Sequence, residues 1–179
     1  MRKFQQDITE GVYYPSIFKA FFLAGGPGSG KSWVSERALS GMGLKVINSD
    51  NAFTSMLSKE KMSLKFADHT PKEIEKRDKI RDKSKAVAGM QLSMALQGRL
   101  GLIIDSTARD VEKIQHDAKN VRRLGYDIHM VFVNTRLDVA LERNRNRPRS
   151  LPEALISNIH KPIQNNKGRL HNIAVASNV

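Results

Sequence analysis

The stretch "FKAFFLAGGPGSGKSWVSERAL", residues 18–39, restricts the fold more than any other part of the chain. An apolar run leads into glycines, then a lysine, then a helix-like pattern. Gly25, Gly26, Pro27, Gly28, Ser29, Gly30, Lys31 and Ser32 fit the pattern G-x-x-x-x-G-K-[ST]. Glycines remove side chains, so backbone N–H groups can turn inward around phosphate oxygens. The loop feeds a helix whose first turn offers unpaired N–H groups and partial positive charge. Lys31 is expected to reach the β- and γ-phosphates of ATP, and the Ser32 hydroxyl to coordinate Mg²⁺.

The rest of the chain alternates strands and helices. Residues 16–24 read as a buried strand, 31–40 as a helix, and 44–49 ("LKVINS") as a second strand. A short helix is expected over 51–58. Thr70, Pro71 and Glu73 form a capping signature that opens a long helix to about Gln97. Its charged first half should project into solvent. Its second half, with Val87, Met90, Leu92, Met94 and Leu96, should pack on the sheet. A third strand is expected over 100–105, a helix over 108–124 stopped by Gly125, and a fourth strand over 126–133. Helices follow from Leu137 to about Asn146 and from Pro152 to about Asn165, then a last strand over 170–177 ("LHNIAVAS"). The alternation implies an α/β fold, a mostly parallel sheet with helices on both faces. The 179 residues are expected to form one domain, with residues 1–15 as an N-terminal extension.

Composition bounds the function. There is no cysteine, which excludes disulfides and thiolate metal sites. No run approaches the length of a membrane span, and the N-terminus lacks a secretory apolar region, so a cytoplasmic protein is expected. The net charge of +12 favours a polyanionic partner such as nucleic acid, or reflects a solubility bias.

Parallel α/β sheets bind ligands beyond the carboxyl ends of their strands. Asp105 ends the apolar strand "GLIID", where a carboxylate binds Mg²⁺ directly or through water, or caps a helix. Asp50 ends the second strand, 19 residues after Lys31. With the first two strands as neighbours, that places a carboxylate at the ligand edge of the sheet, beside the phosphate loop. There it could orient an acceptor hydroxyl and take its proton, or cap the next helix. In "LERNRNRPRSLPEAL", Arg143 and Arg147 are four apart, on one helix face, while Arg145 and Arg149 fall elsewhere. Cations on a closing segment, about 136–151, suit the charge on a phosphoryl group in flight. A solvated basic face is the alternative. The helix segment 72–85 carries seven basic and four acidic residues and is read as solvated, its mixed signs stabilising the helix itself.

These residues together, over roughly 18–163, resemble the P-loop kinases that include bacteriophage-type polynucleotide 5′-kinases and the zeta-toxin sugar-nucleotide kinases. The quoted motifs are "GGPGSGKS", Asp50 in "INSD", Asp105-Ser106-Thr107, and Arg143, Asn144 and Arg147 followed by Pro152. The resemblance implies a P-loop NTPase three-layer sandwich with a short arginine-bearing lid; polynucleotide kinases are often fused to a phosphatase domain, and none is expected in these residues. It implies Asp50 as general base and Arg143 and Arg147 as contacts to nucleotide phosphates. One departure stands out. Polynucleotide kinases carry an acceptor-binding arginine three residues after the base, and here that position is Phe53.

The function expected is transfer of the γ-phosphate of ATP to a hydroxyl, with Lys31, Asp50, Arg143 and Arg147 catalytic and Ser32 and Asp105 on the metal. A nucleic-acid 5′-OH is the leading acceptor. A nucleotide sugar or nucleoside is the alternative, and a nucleotide-binding regulatory module without transfer is the third. Phe53 favours a small acceptor, or an acceptor base stacked on its ring. The ending "LHNIAVASNV" is abrupt, and the last sheet strand or part of the nucleoside pocket is expected to be truncated or supplied by a partner.

Overall fold

The computed structural model describes residues 18–66 and 69–175. The expected extension over residues 1–15 lies outside them. Strand β1 is Lys19–Ala24, and α1, Lys31–Val34, continues through a π turn, Ser35–Leu39, and a 3₁₀ turn, Ser40–Met42. Then come β2 (Lys45–Ile47), α2 (Ser49–Lys59), α3 (Pro71–Gln97), β3 (Leu102–Ser106) and α4 (Val111–Arg123). The chain goes on to β4 (Asp127–Phe132), α5 (Leu137–Arg145), α6 (Glu153–Asn165) and α7 (Lys167–Val175). The four strands form a parallel sheet in the order β2-β3-β1-β4.

The pleat of β1 explains the layering. Ala20, Phe22 and Ala24 face a main core that also takes Leu102 and Ile104 of β3, Ile128 of β4, and residues of α3, α4, α6 and α7. Phe21 and Leu23 face the other way, with Leu39, Met42, Leu44, Ile103 and Val131. Side chains alternate across a strand, so one short apolar run serves both faces. A third cluster, Phe53, Leu57, Met62 and Ile80, joins α2 to α3.

The long helix opens as the sequence predicts. Thr70 accepts from the Glu73 N–H, and the Glu73 carboxylate accepts from the Thr70 N–H at 2.8 Å. Its packing differs from the expectation. The charged half buries Ile80 against α2, and in the apolar half Met90 and Met94 are exposed while Ala88, Leu92, Ala95 and Leu96 pack on the main core. The 3.6-residue period decides this: Leu92, Ala95 and Leu96 share a stripe, and Met90 and Met94 lie on the opposite face.

The expected strand over 170–177 is instead helix α7, whose description ends at Val175. Asn166 donates from its side chain to the Ala108 carbonyl at 3.0 Å, and the chain turns there into α7. Leu170 and Ile173 are buried in the main core. They stand three apart, a helical spacing that the alternation in "IAVA" obscured. We expect Leu170→Ala to lower stability by about 2–5 kcal/mol, read from urea denaturation. A loss under ~1 kcal/mol would show that α7 does not anchor the core.

Candidate nucleotide-binding site

Register sets the site. Leu23 of β1 pairs with Asp105, and Ile47 of β2 pairs with Ile104. The carboxyl ends of three strands therefore present Gly25, Asp105 and Asn48 along one edge. The sequence reading took the first two strands as neighbours. The structure inserts β3 between them, so Asp105 stands between the loop and the β2 end. The Asn48 side chain donates to Asp105 Oδ2 at 2.8 Å and accepts from the Asp50 N–H at 2.7 Å. Asn48 is thus the N-cap of α2, a task the sequence offered to Asp50.

The loop over 25–30 is built against β4 and α5. Gly28 has φ of 75°, and a Cβ there would stand 2.5 Å from the Ala140 carbonyl oxygen. A Cβ on Gly25 would lie 2.8 Å from both the Ser29 hydroxyl and the Val133 carbonyl. Both positions exclude side chains by close approach, and Gly28 also by conformation. Thr135 donates to the Ser29 carbonyl at 2.8 Å, closing the loop onto the segment after β4.

Lys31 donates to the carbonyls of Gly25 at 2.7 Å and Gly26 at 3.3 Å, and stands 3.8 Å from Asp105 Oδ1. Burial lowers its pKa, against the opposing charges of Asp105 and Asp50. Burial raises the pKa of Asp105, with Lys31 opposing and Asp50 adding to the rise. Asp105 Oδ1 and the Ser29 hydroxyl are buried without a hydrogen-bond partner. Buried unpaired polar atoms are costly, and a ligand that meets them removes the cost. Among the described residues no cluster of three or more His, Asp or Glu could hold a metal alone. A divalent ion here would need phosphate oxygens and water, with Asp105 and Ser32, the second residue of α1, as protein donors. Asp105 Oδ1, buried and without a hydrogen-bond partner, fits that requirement.

The segment after α5 carries the arginines. Arg143 donates to the Ser29 carbonyl at 3.0 Å and the Gly28 carbonyl at 3.4 Å. Helix α5 ends at Arg145, so Arg147 lies in the turn beyond it rather than on a helix face shared with Arg143. Its positive charge acts on Lys31 and Asp105. Arg145 points away, paired with Glu153 at 2.5 Å. Buried Asn144 shapes the turn: its side chain donates to the Leu151 carbonyl and accepts from the Leu151 N–H, both at 2.9 Å. A bridge between Lys65 and Ser150 ties the same segment to the connection after α2.

Two residues escaped the sequence reading. Arg81 of α3 donates to Asp50 Oδ1 at 2.5 Å, and Arg149 donates to Asp50 Oδ2 at 2.5 Å. Both guanidinium groups lie over the Phe53 ring, at 4.9 and 5.9 Å from its centroid. The ring is buried and meets Phe66 edge-on at 5.8 Å, so it has no face to offer a stacked acceptor base. Arg149 does not fall elsewhere, and the α3 face is not purely solvated at Arg81. No local spacing could reveal this, because the partners are 31 and 99 residues away. Burial alone would raise the Asp50 pKa. Arg149 and then Arg81 outweigh it and hold the carboxyl at about 2.

Fold and site together define a P-loop nucleotide-binding protein. Residues 21–164 match the family described as AAA domain, and the chain belongs to that family. A comparison with curated proteins found no match. Three solved structures share the fold. A candidate kinase from Chloroflexus aurantiacus aligns with TM-score 0.55 at 18% identity, over 73% of this chain and 68% of its own. A chain of the PezAT toxin–antitoxin system of Streptococcus pneumoniae aligns with TM-score 0.62 at 16% identity, over 97% of this chain and 72% of its own. A chain of the Pnkp1/Rnl/Hen1 RNA repair complex aligns with TM-score 0.62 at 17% identity, over 86% of this chain. This protein spans 46% of that last chain.

The Asp50 pairing has a pH signature. A carboxyl whose folded pKa lies below its ordinary 3.8 contributes stability above that value and loses it as pH falls to about 2. Wild type and Asp50→Asn should differ in urea midpoint near neutral pH and converge as pH approaches about 2. A gap that stays constant with pH would mean that the carboxylate is not paired in solution.

Proposed function

We propose that the protein is an ATP-dependent phosphotransferase that moves the γ-phosphate to an acceptor hydroxyl, a nucleic-acid 5′-OH in the leading reading. The observation that carries it is Asp50. It stands at the carboxyl end of β2, tied through Asn48 to Asp105, where a carboxylate would repel the phosphates of ATP, and this supports a use toward the acceptor. The net charge of +12 and the likeness to a chain of an RNA repair complex support a nucleic-acid acceptor. The resemblance to the zeta-toxin sugar-nucleotide kinases keeps a small-molecule acceptor as the second reading.

In the proposed reaction the acceptor oxygen bonds to the γ-phosphorus as the bond from that phosphorus to the β,γ-bridging oxygen breaks, leaving ADP. The hydroxyl proton passes to Asp50. Phosphoryl transfer runs through a loose transition state, so the base chiefly orients the hydroxyl and collects a proton released late. A carboxylate of low pKa suffices for that task. The loop backbone and Lys31 hold the β- and γ-phosphates. Arg143 and Arg147, on a segment over about 136–151 that acts as a lid, neutralise the moving group. When bound through Asp105 and Ser32, Mg²⁺ would neutralise charge on the same phosphates.

The test uses γ-labelled ATP, Mg²⁺ and a panel of 5′-hydroxyl oligonucleotides, nucleosides and nucleotide sugars. Lys31→Ala should abolish transfer and weaken ATP binding. Asp50→Asn should bind Mg-ATP about as well as wild type while transfer falls by roughly 10²-fold. Intact transfer in Asp50→Asn would return Asp50 to a structural role. Wild-type binding of ATP with no acceptor labelled would favour a regulatory module.

The lid arginines should separate. Arg147→Ala should slow single-turnover transfer by at least about tenfold, ~1.4 kcal/mol of transition-state stabilisation. Arg145→Ala, which loses only an exposed pair with Glu153, should do much less. Equal losses would indicate a diffuse electrostatic patch.

A further inference from the structure

Away from the phosphate loop, helices α4 and α7 leave a groove between them with a volume of about 490 Å³. Helix α4 lines it with Val111, Gln115, Lys119 and Arg122, and α7 with Arg169, Asn172 and Ile173. Steps of three and four residues keep each set on one stripe of its helix, facing the other. Val111 and Ile173 are buried in the main core and form the floor. Gln115, Lys119, Arg169 and Asn172 are exposed and form the walls. Arg122 donates to the Ile173 carbonyl at 3.0 Å and ties the two helices together. The lining carries three cations and no carboxylate. Glu112 meets Arg169 at the rim, and Lys113 and Asp117 pair with each other on the other flank of α4. Among the described residues Lys119 has no carboxylate partner.

The chain joins this groove to the nucleotide site. Strand β3 ends at Ser106, and α4 opens at Val111 after a short connection. Asn166, where α6 gives way to α7, donates to the Ala108 and Arg109 carbonyls of that connection, at 3.0 and 3.2 Å. Both helices therefore start at the carboxyl edge that bears Asp105 and run away from it. We propose that the groove is a track for single-stranded nucleic acid, leading away from the phosphate loop. It rests on the phosphotransferase reading only for the claim that the strand is the acceptor. From Val111 to Arg122 helix α4 rises about 16 Å, room for several nucleotides at the ~3.4 Å spacing of a stacked strand. Cations spread along a groove suit a repeating phosphate better than one isolated anion. Each phosphate contact releases condensed counterions, so even exposed cations contribute when several act together. Gln115 and Asn172 offer donors and acceptors to sugars and base edges.

The binding test uses single-stranded DNA and RNA of about 12 nucleotides, labelled at the 3′ end and followed by fluorescence anisotropy. A 5′-phosphate on each strand removes the hydroxyl that transfer would use. Lys119→Glu and Arg169→Glu should each weaken binding by about tenfold or more at low salt, and lower the slope of log K against log salt by about one. Lys113→Glu makes the same change in net charge on the other flank of α4 and should weaken binding far less. Lys119→Gln and Arg169→Gln serve if urea denaturation shows that the charge reversals do not fold. No binding of either strand by wild type, or equal losses in the Lys113 and groove variants, would overturn the track. So would a mononucleotide or a polyglutamate peptide that displaces the strand as well as unlabelled strand does.

The transfer test offers γ-labelled ATP with a 5′-hydroxyl strand of the same length, and separately with a nucleoside. The groove variants should raise KM for the strand by about tenfold while leaving kcat and the nucleoside reaction unchanged. A KM for the strand that these variants do not move would overturn the track and leave the phosphotransferase reading standing. Groove-dependent binding with no transfer to any acceptor would do the reverse. The track would then stand as the nucleic-acid site of a nucleotide-binding module.

Discussion

The site depends on strand β3 lying between β2 and β1 in one register. That ladder sets Leu23 beside Asp105 and Ile47 beside Ile104, and the loop, the carboxylate and Asn48 follow as neighbours. A slip of one residue would turn Asp105 through the sheet and put Ile104 at the edge. The slip is resisted because Leu102 and Ile104 fill the main core while Ile103 fills the opposite one. The apolar pleat therefore fixes where the charges stand. Lys31 and Asp105, both largely buried and 3.8 Å apart, are a poor stability device. Removing two ions from water offsets most of their attraction. Their place is better explained by a ligand that needs both.

Much of this was legible in the sequence, wherever the signal is local. The strand–loop–helix context of the phosphate loop, the capping box of α3 and the four parallel strands each rest on contacts within a few residues or on a period of two. Four readings failed because the deciding partner is remote. Helix α7 is drawn into the main core by Leu170 and Ile173, and nothing in "LHNIAVAS" announces that core. Met90 and Met94 are apolar yet exposed, because the core meets the opposite face of the helix. The strand order separates β1 from β2, which consecutive numbering cannot express. Arg81 and Arg149 meet at Asp50 only because α3 folds back along α2 while Ser150 joins the Phe66 connection.

Phe53 shows how a motif departure can be a relocation. The resemblance marked its position as one for an arginine, and an aromatic ring there suggested a stacked base. In the fold the buried ring is part of the α2–α3 cluster, and two guanidinium groups from elsewhere lie over it. An arginine at residue 53 would remove the apolar floor under that cluster. With phenylalanine there, positive charge comes from α3 and from the segment after α5. The same ring thus packs one core and supports the charges above it.

The chain's positive charge acts unevenly, and burial decides where it counts. Along α3 much of it is neutralised nearby: Lys76 pairs with Glu60, Arg77 with Asp78, Lys79 with Glu75 and Lys85 with Asp82. These pairs sit in water, where salt screens a charge within about 8 Å and each pair is worth little. At the carboxyl edge the surroundings differ. Lys31 and Asp105 are largely buried, Arg149 is mostly so, and their fields pass through protein rather than solvent. A unit charge there acts several times more strongly than one on the open face of α3. The excess of +12 therefore favours a polyanionic partner only in general terms. Its informative part is the handful of cations that converge with two carboxylates at the end of β3, where an anionic ligand meets them with little water between.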